Sequence, residues 1–453
     1  MLEPASPEPV ITAVIDRLRA KNPLPEGALS VAVGLAISGV ATYVFFGIAS
    51  RSLDGATYST LSVLWGLMFA VGNGIMQPLE QEVARAVSHR LANGEGPGPV
   101  IRRAVGIGLG FAAAVCALAL ITHALFLDRW LSGDGSLTIA FVVGLLGFCV
   151  GHLARGTLSS HGRFRAYATF FSVDGIARVV LAALLAVVGI ATAGAFGFVL
   201  AITPFIAVGV AMLRQREGDL LADGPPASSS ELTKALGWLL AGTISLSLLI
   251  QGGTIAVGIL ATPDEEAAAG VFLNGLQTAR IPLFLFQAVL ASLLPKLSHL
   301  AGTGAFDEFL VSLRRLVLTI LGVGVLTSIA AAVLGPTFIS IVFGSSTTLT
   351  SRDLLLLAVA FILIMATICI DQALIALNGH SRMAAGWVLA LGVFVLVTAV
   401  AGPELYLRVE LGLLAASVFA FVWMAVMLVE RHRHHARAHE VALAEAAAEL
   451  PIQ

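Results

Sequence analysis

Twelve stretches of the sequence are long and apolar enough to cross a lipid bilayer as helices. Such a crossing takes about 20 apolar residues. The predicted spans are residues 28–49, 57–78, 104–126, 137–158, 166–188, 191–213, 234–260, 268–295, 316–343, 353–377, 383–402 and 409–430. Hydrophobic residues form 58% of the chain and charged residues 12%, against roughly 45–50% and about 25% in soluble domains. This excess is too large for a buried core, so a soluble enzyme and a disordered chain are both excluded.

The same stretches favour helices over strands. They lack the alternation of apolar and polar residues that marks the strands of a membrane barrel, and a helix satisfies its backbone hydrogen bonds internally. We therefore expect an all-α polytopic membrane protein, with twelve transmembrane helices in two six-helix lobes around a central cavity.

The basic residues predict the orientation of the chain in the membrane. Twenty of the 26 lysines and arginines fall in the segments on the side of the chain ends, and four fall in the loops on the other side. Because positively charged loops tend to remain in the cytoplasm, both termini are predicted to be cytoplasmic.

A polar segment divides the chain into halves. Residues 214–233 contain a Gly-Pro-Pro sequence and a run of serines after the sixth span, which is typical of a linker. We predict a cytoplasmic N-terminal segment (1–27), an N-lobe (28–213), a cytoplasmic linker (214–233), a C-lobe (234–430) and a basic cytoplasmic tail (431–453). Six helices in each half would give the lobes the same orientation and place a cavity between them.

Four ionisable residues lie well inside the predicted spans, where each costs about 2.5–3.5 kcal/mol to insert. Asp174 and Arg178 are four residues apart, so they share a helix face and can pair with each other. The pair is either structural or part of a cavity site in which Asp174 holds the planar guanidinium of Arg178 toward a phosphate group.

Arg280 has no acidic residue within one turn of its own segment. Asn274 and Gln277 precede it by six and three residues, and Gln277 shares its helix face. Arg280 is therefore either a substrate-binding residue beside two amides or a structural arginine bonded to helix carbonyls. The fourth residue, Asp371, could carry a coupling ion or pair with Arg280 or Arg382, and the pairing is the favoured interpretation.

Residues that weaken helices occur at corresponding positions of the two halves. Gly74 and Pro78 lie in the second span, and Gly275 and Pro282 lie in the eighth. Interrupted segments at corresponding positions often mark the cavities and hinges of transporters, so these four are predicted hinge residues. Ordinary packing irregularity is the alternative.

No motif for chemistry is present in the sequence. None of the three lysines follows a Gly-x-x-x-x-Gly arrangement, so there is no P-loop for ATP. The three cysteines have no paired spacing, and the segments outside the spans are too short for a catalytic domain. We therefore predict no catalytic residue, no cofactor and no metal site. The net charge of -2 gives no reason to expect nucleic acid as a partner.

The layout of the chain and two local stretches resemble the polysaccharide flippase branch of the multidrug, oligosaccharidyl-lipid and polysaccharide exporter superfamily. One stretch is QPLEQEVAR at 77–85. The other runs from ARIPLF at 279–284 through LPKLS at 294–298, followed by FDE at 306–308 and FG at 343–344. The resemblance implies a V-shaped bundle that alternates access and moves polyprenyl-pyrophosphate-linked sugars to the outer leaflet. It also implies that basic cavity residues bind the anionic head group, and Arg280 falls in a segment that often carries one.

These observations lead to the hypothesis of a secondary flippase for a polyprenyl-pyrophosphate-linked oligosaccharide in the bacterial plasma membrane. Its expected partners are the anionic lipid-linked glycan, membrane lipids and glycan-assembly enzymes. One alternative is a cation-coupled multidrug antiporter of the same fold, which should display unpaired acids in its lobes. Another is a non-transporting membrane scaffold that recruits glycan-assembly enzymes. An enzyme that polymerises or ligates lipid-linked sugars would need a large external loop, and the chain has none.

Overall fold

The computed structural model describes residues 28–122, 130–131, 133–213, 215, 220–227, 236–283, 286, 293, 297, 300–301, 303–344, 349–377 and 379–448, with side chains from residue 29 to residue 433. Twelve α-helices have both ends in these ranges, and residues 281–283, 286, 293, 297 and 300–301 are also helical. The twelve helices are α1 (Ala28–Ser52), α2 (Gly55–Ala92), α3 (Gly98–Thr122), α4 (Gly135–Ser160), α5 (Phe164–Val188), α6 (Ala193–Met212), α7 (Leu236–Leu260), α8 (Ala268–Ala279), α9 (Phe306–Phe343), α10 (Ser351–Ala376), α11 (His380–Val400) and α12 (Leu405–Ala448). Eleven of them, all except α8, are long and apolar enough to cross a membrane.

Helix α2 continues past Pro78, where the sequence predicted the second span to end. It runs for 38 residues, about 57 Å at 1.5 Å per residue. A proline inside a helix removes the hydrogen bond to the carbonyl four residues earlier, which here belongs to Gly74. The missing side chain of Gly74 allows close packing against α7, because a Cβ on Gly74 would lie 3.0 Å from the Cα of Ile244. Packing against neighbouring helices therefore preserves α2 through a weak point.

The predicted span 268–295 is interrupted at Arg280. Helix α8 ends at Ala279, Arg280 forms its C-cap with φ -86° and ψ -5°, and the described residues 281–283, 286 and 293 are again helical. Pro282 explains the interruption, because it has no N–H for the carbonyl of Thr278 and its ring crowds that carbonyl. Gly275 lies within α8, where a Cβ would approach Leu349 to 2.0 Å.

The helices pack as two groups. Within α1–α6, the main contacts are α1 with α5, α5 with α6, α6 with α4, and α4 with α2; within α7–α12 they are α7 with α11, α11 with α12, α12 with α10, and α10 with α9. The groups meet through α2 against α7 and α8, and through α1 against α9. We call the first group the N-lobe and the second the C-lobe.

Side-chain hydrogen bonds to the end of α9 join the lobes at one end of the bundle. We call the end that carries the α1–α2 turn at residues 52–55 the distal face, and the opposite end the terminal face. At the distal face the hydroxyl of Ser50 donates to the carbonyl of Phe343 at 2.6 Å, and Arg51 donates to the carbonyls of Ile341 and Val342. Close packing supports these bonds, since a Cβ on Gly47 would lie 2.7 Å from the carbonyl oxygen of Val342.

Part of the predicted linker packs on the N-lobe at the terminal face. Arg90 of α2 donates to the carbonyl of Pro225 at 2.6 Å, and Arg103 of α3 donates to the carbonyl of Ala227 at 2.9 Å. Arg102 forms an ion pair with Asp223 at 3.2 Å. Residues 220–227 therefore belong structurally to the N-lobe.

Candidate functional site

Arg280 lies where α8 ends, with its side chain buried among C-lobe helices and only 5% of its surface exposed. Its guanidinium donates to the carbonyl of Ile250 and, at 2.8 Å, to the side-chain oxygen of Gln251 on α7. It also donates to Gln277 Oε1 at 3.1 Å. The ring of Phe361 on α10 lies 5.2 Å from its charged carbon, within the range of a cation–π contact.

All of these partners are neutral. Among the residues that the structure describes, no acidic side chain forms an ion pair with Arg280, and its Nε has no hydrogen-bond partner. A buried cation without a counter-charge is costly at membrane depth. The site therefore combines an uncompensated positive charge with a free donor, an arrangement suited to an anion.

The two amides near Arg280 take part in contacts between the lobes. The main-chain carbonyl of Gln277 accepts a hydrogen bond of 2.7 Å from the hydroxyl of Tyr43 on α1. The side-chain oxygen of Asn274 accepts one of 2.6 Å from the hydroxyl of Tyr58 on α2. Asn274 and Gln277 were predicted to bind substrate, and in this conformation they connect α8 to the N-lobe.

Arg178 and Asp174 form an ion pair on the inner face of α5. Arg178 also donates to the hydroxyl of Thr42 at 3.2 Å, and its charged carbon lies 5.4 Å from the ring of Trp65. One carboxylate oxygen of Asp174 and the Nε of Arg178 have no hydrogen-bond partner among the described residues. The pair is therefore incompletely satisfied, with both an unused acceptor and an unused donor.

Helix α1 contacts the surroundings of both Arg178 and Arg280. Thr42 contacts Arg178, and its neighbour Tyr43 contacts the Gln277 carbonyl beside Arg280. Consecutive residues of a helix point in directions about 100° apart, so these two side chains reach opposite lobes. Residues 42 and 43 thus link the two candidate anion-binding arginines through one helix.

The favoured pairing of Asp371 with an arginine is wrong in this structure. Its two carboxylate oxygens accept from Trp387 Nε1 at 3.1 Å and from Gln372 Nε2 at 2.8 Å. Arg280 instead contacts α10 at Phe361, ten residues earlier, which is about 15 Å along a helix. Asp371 lies too far along α10 to reach that guanidinium and faces α11.

A second charged network in the N-lobe was not anticipated from the sequence. Glu80 of α2 forms an ion pair of 2.6 Å with Arg155 of α4, lies 2.8 Å from Nδ1 of His152, and accepts from the hydroxyl of Tyr167 at 3.2 Å. The orientation argument assigned Arg155 to a segment at the cytoplasmic side, so the sequence did not suggest that it is buried. Glu80 could have signalled the network, since an acid just after Pro78 becomes a buried residue once α2 continues through that proline.

Glu410 of α12 is a further buried acid that the sequence did not single out. Its surface is 0% exposed, and neither carboxylate oxygen has a hydrogen-bond partner among the described residues. It lies near the distal face, where Arg352 pairs with Asp353 and with Glu404. In the described ranges no three histidine, cysteine or acidic side chains come together as a potential metal site.

Comparison with known proteins identifies relatives at moderate similarity. No protein family model matches the chain. A protein of Mycobacterium tuberculosis described as uncharacterized is 26% identical over 370 residues, which cover 79% of this chain and 82% of the relative. A second uncharacterized protein of the same species is 25% identical over 391 residues, covering 82% of this chain and 84% of the relative.

Solved structures show the fold. An inward-facing multidrug resistance MATE family transporter of the MOP superfamily superimposes with a TM-score of 0.70 at 12% identity, covering 88% of this chain and 98% of the other. An outward-facing structure of such a transporter gives 0.65 at 12% identity, covering 90% and 95%. A MATE transporter of Vibrio cholerae gives 0.60 at 16% identity, covering 90% and 99%. The predicted all-α, multi-pass membrane fold is therefore confirmed.

Proposed function

We propose that the protein is a secondary flippase that moves a polyprenyl-pyrophosphate-linked oligosaccharide across the bacterial plasma membrane by alternating access. The observation that carries this proposal is the environment of Arg280, a buried guanidinium with neutral partners only among the described residues. Phosphate groups suit this residue because the guanidinium presents planar, paired donors to two oxygens at once. A pyrophosphate head group supplies both the missing negative charge and the acceptors.

The remaining polar residues have supporting roles in this proposal. Arg178 provides a second positive charge for the head group on the N-lobe side, oriented by Asp174 and Thr42. Gln277 orients Arg280 through its side-chain oxygen. Asn274 stabilises the junction of the lobes through Tyr58. The polyprenyl chain remains in the lipid, where its burial costs nothing.

The inter-lobe hydrogen bonds of the described residues support a conformation closed at the distal face. They come from Tyr43, Ser50, Arg51 and Tyr58, all within about 14 Å of the α1–α2 turn at 1.5 Å per residue. With the chain ends cytoplasmic, the head group enters from the cytoplasm and leaves after the lobes separate at the distal face. Solved structures with this fold include an inward-facing form and an outward-facing form, which supports two states for this fold.

The predicted hinge residues of two helices serve the rearrangement in this proposal. They are Gly74 with Pro78 in α2, and Gly275 with Pro282 at α8. The membrane potential contributes about 2.3 kcal/mol per elementary charge per 100 mV, so transport of an anion outward can be driven without ATP.

Native mass spectrometry of the purified protein with a polyprenyl-pyrophosphate oligosaccharide tests the proposal. We expect the wild-type protein to retain the lipid-linked sugar and Arg280→Ala to lose it. Arg280→Lys should be intermediate, because it keeps the charge and loses the paired donors. Arg165→Ala, which removes an exposed arginine at the start of α5, is the control for net charge and should bind like wild type. Binding unchanged in Arg280→Ala would overturn the proposal.

A cation-coupled multidrug antiporter is the second candidate, and the acids of the C-lobe favour it. Asp371 has no arginine partner among the described residues, and Glu410 has no hydrogen-bond partner there. In proteoliposomes with an imposed ion gradient, an antiporter would move ethidium, and Asp371→Asn would abolish this movement. A flippase is expected to leave ethidium in place and to tolerate Asp371→Asn.

A further inference from the structure

Tyr43 contacts the turn that presents Arg280. Its hydroxyl donates to the main-chain carbonyl of Gln277 at 2.7 Å, and the same carbonyl accepts the backbone N–H of Arg280 at 3.2 Å. The side-chain oxygen of Gln277 accepts from the Arg280 guanidinium at 3.1 Å. Gln277 thus accepts hydrogen bonds both from Arg280 and from a hydroxyl of the N-lobe.

The turn at Arg280 depends on such contacts for its geometry. Helix α8 ends at Ala279 and helical residues resume at Ile281, so Arg280 lies at a break of one residue, where Pro282 has no N–H for the Thr278 carbonyl. The N–H of Arg280 donates to the carbonyls of Leu276 at 3.1 Å and Gln277 at 3.2 Å. Bonds to these two carbonyls therefore help to orient Arg280 at the break. The bond from Tyr43 is one of these, and it originates in the N-lobe.

Tyr43 is rigidly connected to the junction at the distal face. It lies on α1, seven residues before Ser50 and eight before Arg51, which bond the end of α9. This spacing corresponds to about 11–12 Å of helix. A displacement of α1 from α9 would therefore also move Tyr43 away from Gln277.

We propose that Tyr43 is a positioning residue that makes the affinity of Arg280 for a pyrophosphate group depend on closure of the lobes at the distal face. While the lobes are closed, the Tyr43 bond holds the turn in the orientation that binds the anion. When α1 leaves α9, the bond breaks, the turn relaxes and the anion is released. This inference rests on the proposed function of the same site and names the residue that couples binding to conformation.

A matched pair of tyrosine substitutions separates this role from general loosening of the lobes. Tyr43→Phe and Tyr58→Phe each remove one inter-lobe hydroxyl bond to α8 and keep the aromatic ring. Tyr58 bonds Asn274, which lies six residues before Arg280 and outside the turn. The probe is farnesyl pyrophosphate, measured by native mass spectrometry and by ligand-induced thermal stabilisation, with farnesol as the probe that lacks the head group.

We expect Tyr43→Phe to weaken farnesyl pyrophosphate binding by about 2- to 12-fold, the range that corresponds to one net hydrogen bond. Tyr58→Phe should change it less than 2-fold, and neither variant should change farnesol binding. A purely structural role of Tyr43 would instead change the binding of both probes alike.

A double-mutant cycle with Arg51→Gln tests the dependence on lobe closure. Arg51→Gln should weaken farnesyl pyrophosphate binding in the wild-type background and have little further effect in the Tyr43→Phe background. The inference would be overturned if Arg51→Gln weakened binding equally in the wild-type and Tyr43→Phe backgrounds, or if Tyr43→Phe and Tyr58→Phe bound farnesyl pyrophosphate equally. In either case the proposed function would stand as long as Arg280→Ala abolishes binding. No head-group-dependent binding by the wild-type protein would overturn the proposed function itself, and this inference with it.

Discussion

The hydroxyl of Ser50, near the end of α1, donates a hydrogen bond of 2.6 Å to the main-chain carbonyl of Phe343, the last residue of α9. The bond crosses from the N-lobe to the C-lobe. Arg51 adds its guanidinium to the two preceding carbonyls, where a cation also interacts favourably with the negative end of the α9 dipole. The distal junction is therefore made of side chains of one helix capping the end of another.

Removing the cap should loosen the distal junction. For Arg51→Gln we expect a loss on the order of 1 kcal/mol, since the side chain is exposed and its bonds are partly screened. Hydrogen–deuterium exchange at residues 339–344 and 47–52 should rise about 5-fold. Arg352→Gln is the control, because it breaks ion pairs at the same face that lie within the C-lobe. Unchanged exchange in Arg51→Gln would mean that packing alone closes this face.

The ion pair between Glu80 and Arg155 should contribute strongly to the stability of the N-lobe. Glu80→Gln leaves a largely buried guanidinium without its carboxylate, which typically costs about 3–5 kcal/mol. We expect a clear fall in the melting temperature of the detergent-solubilised protein. Glu82→Gln, whose partner Arg85 is mostly exposed, should cost less. The double variant Glu80→Gln with Arg155→Gln should lose less stability than the two single variants lose together. If the two losses simply added, the pairing of Glu80 with Arg155 would be contradicted.

Glu410 should tolerate loss of its charge. Because neither oxygen accepts a hydrogen bond from the described residues, a negative charge there gains little from its surroundings. We expect Glu410→Gln to leave the melting temperature unchanged or to raise it, within about 1 kcal/mol of stability. Glu404→Gln removes a carboxylate that Arg352 contacts at 2.5 Å and should be slightly destabilising. A large loss on Glu410→Gln would reveal a bound cation or a partner for the charge.

Alanine substitutions at two glycines should change the stability in opposite directions, because one glycine is closely packed and the other is not. Gly74→Ala would place a Cβ 3.0 Å from the backbone of Ile244, and overpacking of this kind costs about 1–3 kcal/mol. Gly110→Ala, in α3, meets nothing within 4 Å and should be neutral or stabilising by up to about 1 kcal/mol. Thermal unfolding of both variants compares them directly. Equal stability would show that α7 moves away from α2 without cost.

The predicted orientation is tested by topology reporters. A fluorescent protein fused after Gln453 should fluoresce, because it folds in the cytoplasm, and alkaline phosphatase fused at Asp264 should be active, because it folds outside. The 3-10 turn Pro263–Glu265 lies at the distal face, opposite the end of α12. The reverse pattern would show that the distal face is cytoplasmic.

The sequence by itself determined the membrane fold and the local pairs. Lipid accepts only segments whose backbone is satisfied internally, so runs of about 20 apolar residues define the helices wherever they occur. Spacing along one helix also predicted that Asp174 reaches Arg178 and that Gln277 reaches Arg280, because residues three or four apart share a face. Both contacts are present.

Only the tertiary structure decided which helices meet and with which faces. The contact of Tyr43 with Gln277 spans 234 residues of sequence, and the contact of Glu80 with Arg155 spans 75. In lipid, a helix face that packs on protein and one that faces the bilayer can be equally apolar, so the sequence does not reveal the rotation of each helix. That rotation directed Asp371 toward Trp387 on α11, and it turned Thr42 toward Arg178 and Tyr43 toward Gln277.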